Sequence, residues 1–357
     1  MAFINMSREK LRHNYLFLDN LFKMNHIEWG VVSKVLCGNK LFLSELIDLG
    51  AREIHDSRIS NLKVIKEINP EVQTVYIKPP ARRAISSLVR YADVSFNTQL
   101  ETIQLISDEA HRQGKIHMII IMIEMGDLRE GILGENLVDF YSKVFKLPNI
   151  RVIGIGTNLN CLSGVMPSHD KLIQLSLYKQ LINATFNKQI NWASGGSSVT
   201  IPLLQKKLVP KGNNHFRVGE TLFLGNNLVT GSPIKGMKGD VFKLNAEIIE
   251  LLEKPMVPLG ETGTNVAGEM VEINERDYGK ISCRAILDLG LLDIDPKNII
   301  PEDKALKIIG VSSDMIVLDL GKNRKHYRVG DLVSFRLNYM GVLSILNSNY
   351  IGKIVIQ

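Results

Sequence analysis

The sequence predicts an α/β protein in two parts. An N-terminal (β/α)8 TIM barrel is expected over residues 8–238, and a mainly antiparallel β domain over 239–357, with residues 1–7 placed with the second part. Three observations carry this reading. The chain has 357 residues, more than one ordinary core organises. Short apolar runs alternate with helical patterns eight times before Gly239. After Gly239, strand-like runs follow one another without long helices. An open doubly wound sheet is the other arrangement that such an alternation allows.

Taken in order, the chain opens on an amphipathic helix, "SREKLRHNYLFLDNLF". Ser7 is placed as its cap, and Leu11, Tyr15, Leu18 and Leu21 or Phe22 share one face. Apolar runs at 30–33, 53–55, 74–77, 94–96, 117–123, 152–156, 190–192 and 215–218 read as the eight barrel strands. Helical patterns fill the gaps at 41–49, 57–68, 82–91, 100–112, 134–145, 170–186 and 199–208. Beyond them come "FKLNAEIIEL", "GKISCRAILDLG", "ALKIIGVSSDMIVLDL", "DLVSFRLNYMGVLSIL" and "YIGKIVIQ", which read as strands punctuated by Gly, Asp and Asn. The stretch "GETGTNVAGE", residues 260–269, reads as a mobile loop.

Composition narrows the class. The chain is 45% apolar and 22% charged, with a net charge of +6 spread along its length. Basic spots such as "KNRKHYR" lack interleaved aromatics, so no nucleic-acid partner is expected. The greasiest stretch, "HMIIIMIEMG", is far short of a membrane span, and "MAFINMSREK" has no leader-like apolar core. The three cysteines, Cys37, Cys161 and Cys283, form no CxxC pair, and the eight histidines form no HExxH cluster. The expectation is a cytoplasmic protein without a catalytic metal.

Barrel active sites gather at the C-terminal ends of the strands. There the sequence places Lys34, "HDSR" (55–58), "EMGDLREG" with Glu124, Asp127 and Arg129, "GTNLNC" with Asn158, Asn160 and Cys161, "SGGSS" (194–198), and "FRVGE" with Arg217, Gly219 and Glu220. Two glycines between serines, opening a helix, present N–H groups and hydroxyls to an anion, although a plain capped turn reads the same way. A lysine facing such a site binds an anion as a point charge, or attacks an aldehyde as a neutral amine to form a Schiff base. Pyridoxal phosphate needs both parts. A lysine snorkelling from a barrel rim is the bland alternative.

The segments "VVSKVLCGN", "HDSRISNLKVI", "MIEMGDLREG", "GTNLNCLSGV", "SGGSS", "RVGE", "GVSSD" and "LNYMGVLSILNSNYIG" occur in an order that resembles the alanine-racemase-type, fold-type III pyridoxal-phosphate enzymes, most closely their ornithine racemase branch. The resemblance spans nearly the whole chain. It implies an amino-acid racemase acting on a free, basic substrate, with Lys34 joined to the cofactor and serving as one acid/base. Ser194, Gly195, Gly196 and Ser197 would hold the phosphate, with Gly219 close by and Tyr350 reaching it. Arg217 would donate to the pyridine nitrogen; an arginine keeps its proton, so the ring stays a moderate electron sink suited to proton removal and return. Arg129 would orient the phenolic oxygen or the substrate carboxylate, and Asn158 or Asn160 would pack against the ring. The resemblance also implies a head-to-tail homodimer whose β domain completes the partner's site. The family's second acid/base, a tyrosine, falls at Leu291, and a histidine expected after "SSD" falls at Met315. Asp314 and Asp293 are therefore the candidates for the far face, with Tyr339, Cys283 and Tyr350 behind them. A fold-type III decarboxylase or lyase, or a cofactor-binding protein without turnover, is the alternative activity.

Overall fold

The computed structural model describes residues 2–264, 268, 270 and 273–357. It divides into two compact units, Leu11–Gly239 in one, Met1–Lys10 and Asp240–Gln357 in the other. Of the loop expected at 260–269, residues 265–267 and 269 lie outside the described residues.

Strand β1 (Phe3–Ser7) leads into helix α1 (Arg8–Met24). Ser7 caps the helix, its Oγ accepting from the Lys10 N–H at 3.3 Å. Leu11, Tyr15, Leu18 and Phe22 are buried, as their spacing predicts. The first unit then alternates β2 (Glu28–Val32), α2 (Lys40–Asp48), β3 (Glu53–Asp56), α3 (Ile59–Ile68), β4 (Gln73–Tyr76) and α4 (Ile85–Tyr91). It continues with β5 (Val94–Asn97), α5 (Leu100–Arg112), β6 (His117–Met122), α6 (Leu137–Val144), β7 (Ile150–Gly156) and α7 (His169–Phe186). The last turns are β8 (Trp192–Ser197), α8 (Ile201–Gln205), β9 (His215–Val218) and α9 (Glu220–Leu224).

Strands β2 to β9 close into a barrel in sequence order, β9 pairing in parallel with β2. Closure excludes the open doubly wound sheet. The apolar runs are continuous because barrel strands are buried on both faces: Ile119 through Ile123 have no exposed surface. One face of these strands packs inward, where Val75, Val94, Phe96, Ile120, Met122 and Trp192 form a cluster. The other meets the helices, with Ile119, Ile121, Ile155, Leu175 and Tyr141 in one core.

Strand β8 departs from expectation. The sequence places a strand at 190–192 and a helix-opening turn at 194–198, whereas "WASGGS" is itself the strand. Small residues are required there. A Cβ on Gly196 would stand 2.2 Å from the Phe216 ring, and one on Gly195 2.4 Å from Asn213 Oδ1. Side chains of neighbouring segments fill the space that a larger residue would need, which periodicity within one segment does not reveal.

In the second unit β10 (Phe242–Pro255), β11 (Ile281–Leu287), β12 (Ile299–Pro301), β13 (Lys307–Val311), β14 (Ile316–Gly321) and β15 (Leu332–Leu337) form an antiparallel sheet in the order β12-β15-β10-β11-β14-β13. β1 pairs antiparallel with β10 and parallel with the final strand, which follows helix α10 (Tyr339–Asn347) as β16 (Gly352–Ile356). The run after Leu337, expected as strand, is helical. Asn338 caps it, accepting from the Gly341 N–H at 2.9 Å, and Val342, Ile345 and Leu346 are buried with helical spacing.

Candidate active site

Parallel closure points every strand of the barrel the same way, so the ends of β2, β7, β8 and β9 share one rim. The chain leaves β2 at Val32, and Lys34 opens a single 3-10 turn with its side chain exposed. Two consecutive left-handed residues, Cys37 (φ 51°) and Gly38 (φ +74°), turn the chain into α2. The turn is braced from beneath. Ser33 Oγ donates to Asp56 Oδ2 at 2.8 Å, and Asp56 Oδ1 accepts from the Arg58 N–H at 2.9 Å and from Asn61 Nδ2 at 3.1 Å. Burial pushes the Asp56 carboxyl above its ordinary value despite these bonds.

Arg217, near the end of β9, is buried to 6% exposure and lies across the barrel with its guanidinium carbon 5.2 Å from the Phe96 ring centroid. One guanidinium nitrogen, Nη2, donates to the Thr157 carbonyl at 2.6 Å and to Asn158 Oδ1 at 3.1 Å. The other, Nη1, is buried with no acceptor among the described residues. Desolvation lowers the Arg217 pKa to about 10, still a cation at neutral pH. Arg217 pairs with neither Glu220 nor Asp127. Glu220 begins α9 and accepts from Asn226 Nδ2 at 3.2 Å; burial raises its pKa while the charge of Lys34 opposes the rise.

Asp127 knits two rim loops. Its carboxylate accepts from the backbone N–H groups of Cys161, Leu162, Ser163 and Val165 at 2.9–3.3 Å. Burial pushes its pKa up, and these four donors more than offset that, leaving it below the ordinary aspartate value of 3.8. Its stabilising contribution is therefore complete above that value and is lost as pH falls through the lower folded one. Asp127→Ala is expected to cost roughly 1–3 kcal/mol of local order. Hydrogen exchange at the amides of 161–165 checks it: markedly faster exchange is expected in the variant, while the α7 amides remain protected.

Arg129 and Glu130 follow on the same loop. Glu130 grips Arg129 through Nε and through Nη2, the latter at 2.6 Å, and also accepts from Asn158 Nδ2. Asn158 thus joins the Arg129–Glu130 pair to Arg217. Asn160 stands outside this network: it is exposed, left-handed (φ 59°), and its N–H donates to the Val165 carbonyl at 2.8 Å.

The residues of "SGGS" separate. Ser194 is fully buried and its Oγ is 2.6 Å from His215 Nδ1, so its hydroxyl is engaged inside the barrel. Gly195 and Gly196 are buried strand residues. Ser197 alone stands half-buried at the strand end, beside Arg217 in register, its N–H donating to Thr200 Oγ1 at 3.2 Å. Gly219 precedes α9 with its Cα pressed on β2; a Cβ there would lie 2.9 Å from the Val32 carbonyl.

In the second unit, the N–H groups of Leu291 and Leu292 donate to the Ser312 and Ser313 carbonyls at 3.0 and 2.8 Å. This brings the Leu291 loop onto the "SSDM" turn. Asp314 is exposed at that turn and accepts from Ser312 Oγ and Ser313 Oγ at 3.2 and 3.1 Å. Met315 is half-buried. Asp293 is half-buried and accepts from Ser348 Oγ at 3.1 Å, and Tyr350 is 81% exposed.

Among the described residues, Glu53, His55 and His215 form one group able to offer three metal-ligand atoms within 4.8 Å. Glu53 and His215 open β3 and β9 and His55 is the third residue of β3, so the trio lies inside the barrel, against Gly30 of β2. Here Glu53 Oε1 bridges both imidazoles, at 2.8 Å from His215 Nε2. Sequence reasoning missed this trio, because His215 stands 162 residues from Glu53 and meets it only through barrel closure. It missed Glu130 as well, a loop charge that no periodicity marks.

Comparison with known proteins follows the same outline. The profile of the family described as "Alanine racemase, N-terminal domain" matches residues 6–227. An ornithine racemase of Acetoanaerobium sticklandii is 36% identical over 351 residues, 98% of either chain. A lysine racemase of Thermotoga maritima is 32% identical over 324 residues, 90% of this chain and 89% of that one. The solved alanine racemase of Bartonella henselae, with covalently bound pyridoxal phosphate, superposes with a TM-score of 0.75 at 16% identity, covering 99% of both chains.

Proposed function

The chain belongs to the alanine racemase N-terminal domain family, and from that premise we propose how its residues divide the work of an amino-acid racemase. It is a pyridoxal-phosphate-dependent isomerase of free amino acids. We assign a basic amino acid as substrate, on the names of the two curated relatives.

The residues present fit the cofactor. Its ring nitrogen is an acceptor, and Arg217 Nη1 is a buried donor lacking one. Its aldehyde needs an accessible amine, and Lys34 stands exposed on the same rim. Its phosphate suits the ends of β8 and β9, where we place it against Ser197 and the backbone at Gly219, with Gly195 and Gly196 shaping the strand beneath. Ser194 contributes by fixing His215 rather than by touching the anion. When bound, the cofactor supplies an electron sink that makes the substrate's α-proton removable.

Lys34 Nζ would hold the cofactor through its aldehyde carbon and would take or return the proton on one face of the α-carbon. Arg217 would donate an N–H from Nη1 to the ring nitrogen. Arg129 binds the substrate carboxylate, and Asn158 holds the Arg217 fork. For the opposite face we assign Asp314 of a second copy of the chain, in a homodimer whose β unit completes the barrel's site. Asp314 is the more accessible of the two carboxylates, Asp293 being tied to Ser348. Tyr350, exposed on the same unit, is assigned to the phosphate of the partner's site.

The observation that carries this reading is the unpartnered Nη1 of Arg217 on the rim that bears Lys34. Incubation with free amino acids in deuterium oxide tests it. Deuterium at the α-carbon with loss of optical rotation is expected, strongest for ornithine or lysine. Carbon dioxide release without racemisation would replace this reading by decarboxylation.

A further inference from the structure

We propose that Glu130 is a positioning residue for this reaction: its carboxylate sets the orientation of Asn158, and through it aims the free guanidinium nitrogen of Arg217, while anchoring Arg129 at the same time. The inference rests on the assignment of Arg217 to the ring nitrogen.

Glu130 is a largely buried carboxylate, its side chain 10% exposed, between two groups that it can only accept from. On one side are Nε and Nη2 of Arg129, and on the other is Nδ2 of Asn158. A carboxylate offers no donor and a guanidinium no acceptor. The amide between them therefore has one satisfactory orientation, NH2 to Glu130 and oxygen to Arg217 Nη2. With Nη2 committed to Asn158 and to the Thr157 carbonyl, the rigid planar fork of Arg217 leaves Nη1 in one direction only. Remove the carboxylate, and the Asn158 amide is free to turn its NH2 toward a cation, donor against donor. The Arg217 fork then loses one of its two fixed acceptors, and Arg129 loses its bidentate partner. Glu130 is also the carboxylate of this cluster that is not committed to backbone, since Asp127 is taken by four amides.

The test uses the full chain loaded with pyridoxal phosphate, as Glu130→Ala, Glu130→Gln and parent. Three quantities are read: the visible absorbance band of the bound cofactor, kcat and KM with ornithine, and the melting temperature of the cofactor-free protein. In Glu130→Ala the band is expected to shift, and kcat to fall about tenfold to a hundredfold with a smaller change in KM, the scale of weakening one charge-assisted hydrogen bond at Arg217. Glu130→Gln, whose carbonyl still accepts from Asn158, is expected to recover part of both. An unchanged band and kcat in Glu130→Ala overturns the proposal. So does a lowered melting temperature with an unchanged band, which marks a purely structural role. A parent protein with no visible band overturns the assignment of Arg217 itself, and the inference with it.

Discussion

Lys34→Ala is expected to lower racemisation by about a thousandfold or more, because on the assignment proposed above one substitution would remove both the covalent hold on the cofactor and one of the two proton-transfer groups. Stability does not share the loss. The Lys34 side chain is exposed, and the turn it opens is held by backbone and by Ser33 and Asp56. The melting temperature of the cofactor-free variant is expected to match the parent's, as for surface substitutions generally. Borohydride reduction of the loaded parent followed by peptide mass spectrometry supplies the direct check. The cofactor mass is expected on the peptide containing Lys34 and absent from that peptide in the variant. A label on another lysine, or activity within tenfold of the parent, would remove Lys34 from the mechanism.

Arg217→Met separates function from stability at a buried position. Arg217 is a buried cation whose Nη1 has no partner and whose pKa is pulled down to about 10 by desolvation. Holding such a group costs the fold free energy, and replacing a buried charge by an apolar side chain of similar length often leaves stability unchanged or higher. The Thr157 carbonyl and Asn158 amide lose a donor in exchange, which offsets part of that gain. The expected outcome is a cofactor-free melting temperature equal to or above the parent's, together with a fall in kcat of roughly a hundredfold to a thousandfold. Unfolding curves and steady-state kinetics on the same preparation check it. A variant that melts well below the parent would show that Arg217 is a structural strut of the barrel.

The two substitutions also show where local pattern is informative. Lys34 and Arg217 lie at or just beyond the ends of short apolar runs, and barrel geometry makes every such position a rim position. Their placement follows from counting strands. The "SGGS" segment misleads because glycine and serine suit both a phosphate-binding turn and a tightly packed strand. The choice is made by Phe216 and Asn213, which stand against Gly196 and Gly195. The stretch after Leu337 misleads in the same manner, since a short apolar run reads equally as strand or helix until a cap such as Asn338 decides.

The sequence by itself determined the eight strand–helix alternations, the antiparallel second unit, and the lysine and arginine at the strand ends, and it favoured the barrel that closure of β9 on β2 then decided. These depend on periodicity and chain order, which are local or additive properties. Only the tertiary structure decided that Ser194 serves His215, that Asn158 and not Asn160 joins the arginines, and that Glu130 ties them together. The reason is physical. A buried polar atom is satisfied by whichever partner closure brings within about 3 Å, and Asn158 meets Arg217 across 59 residues of chain. Such partners carry no signature in the residues beside them.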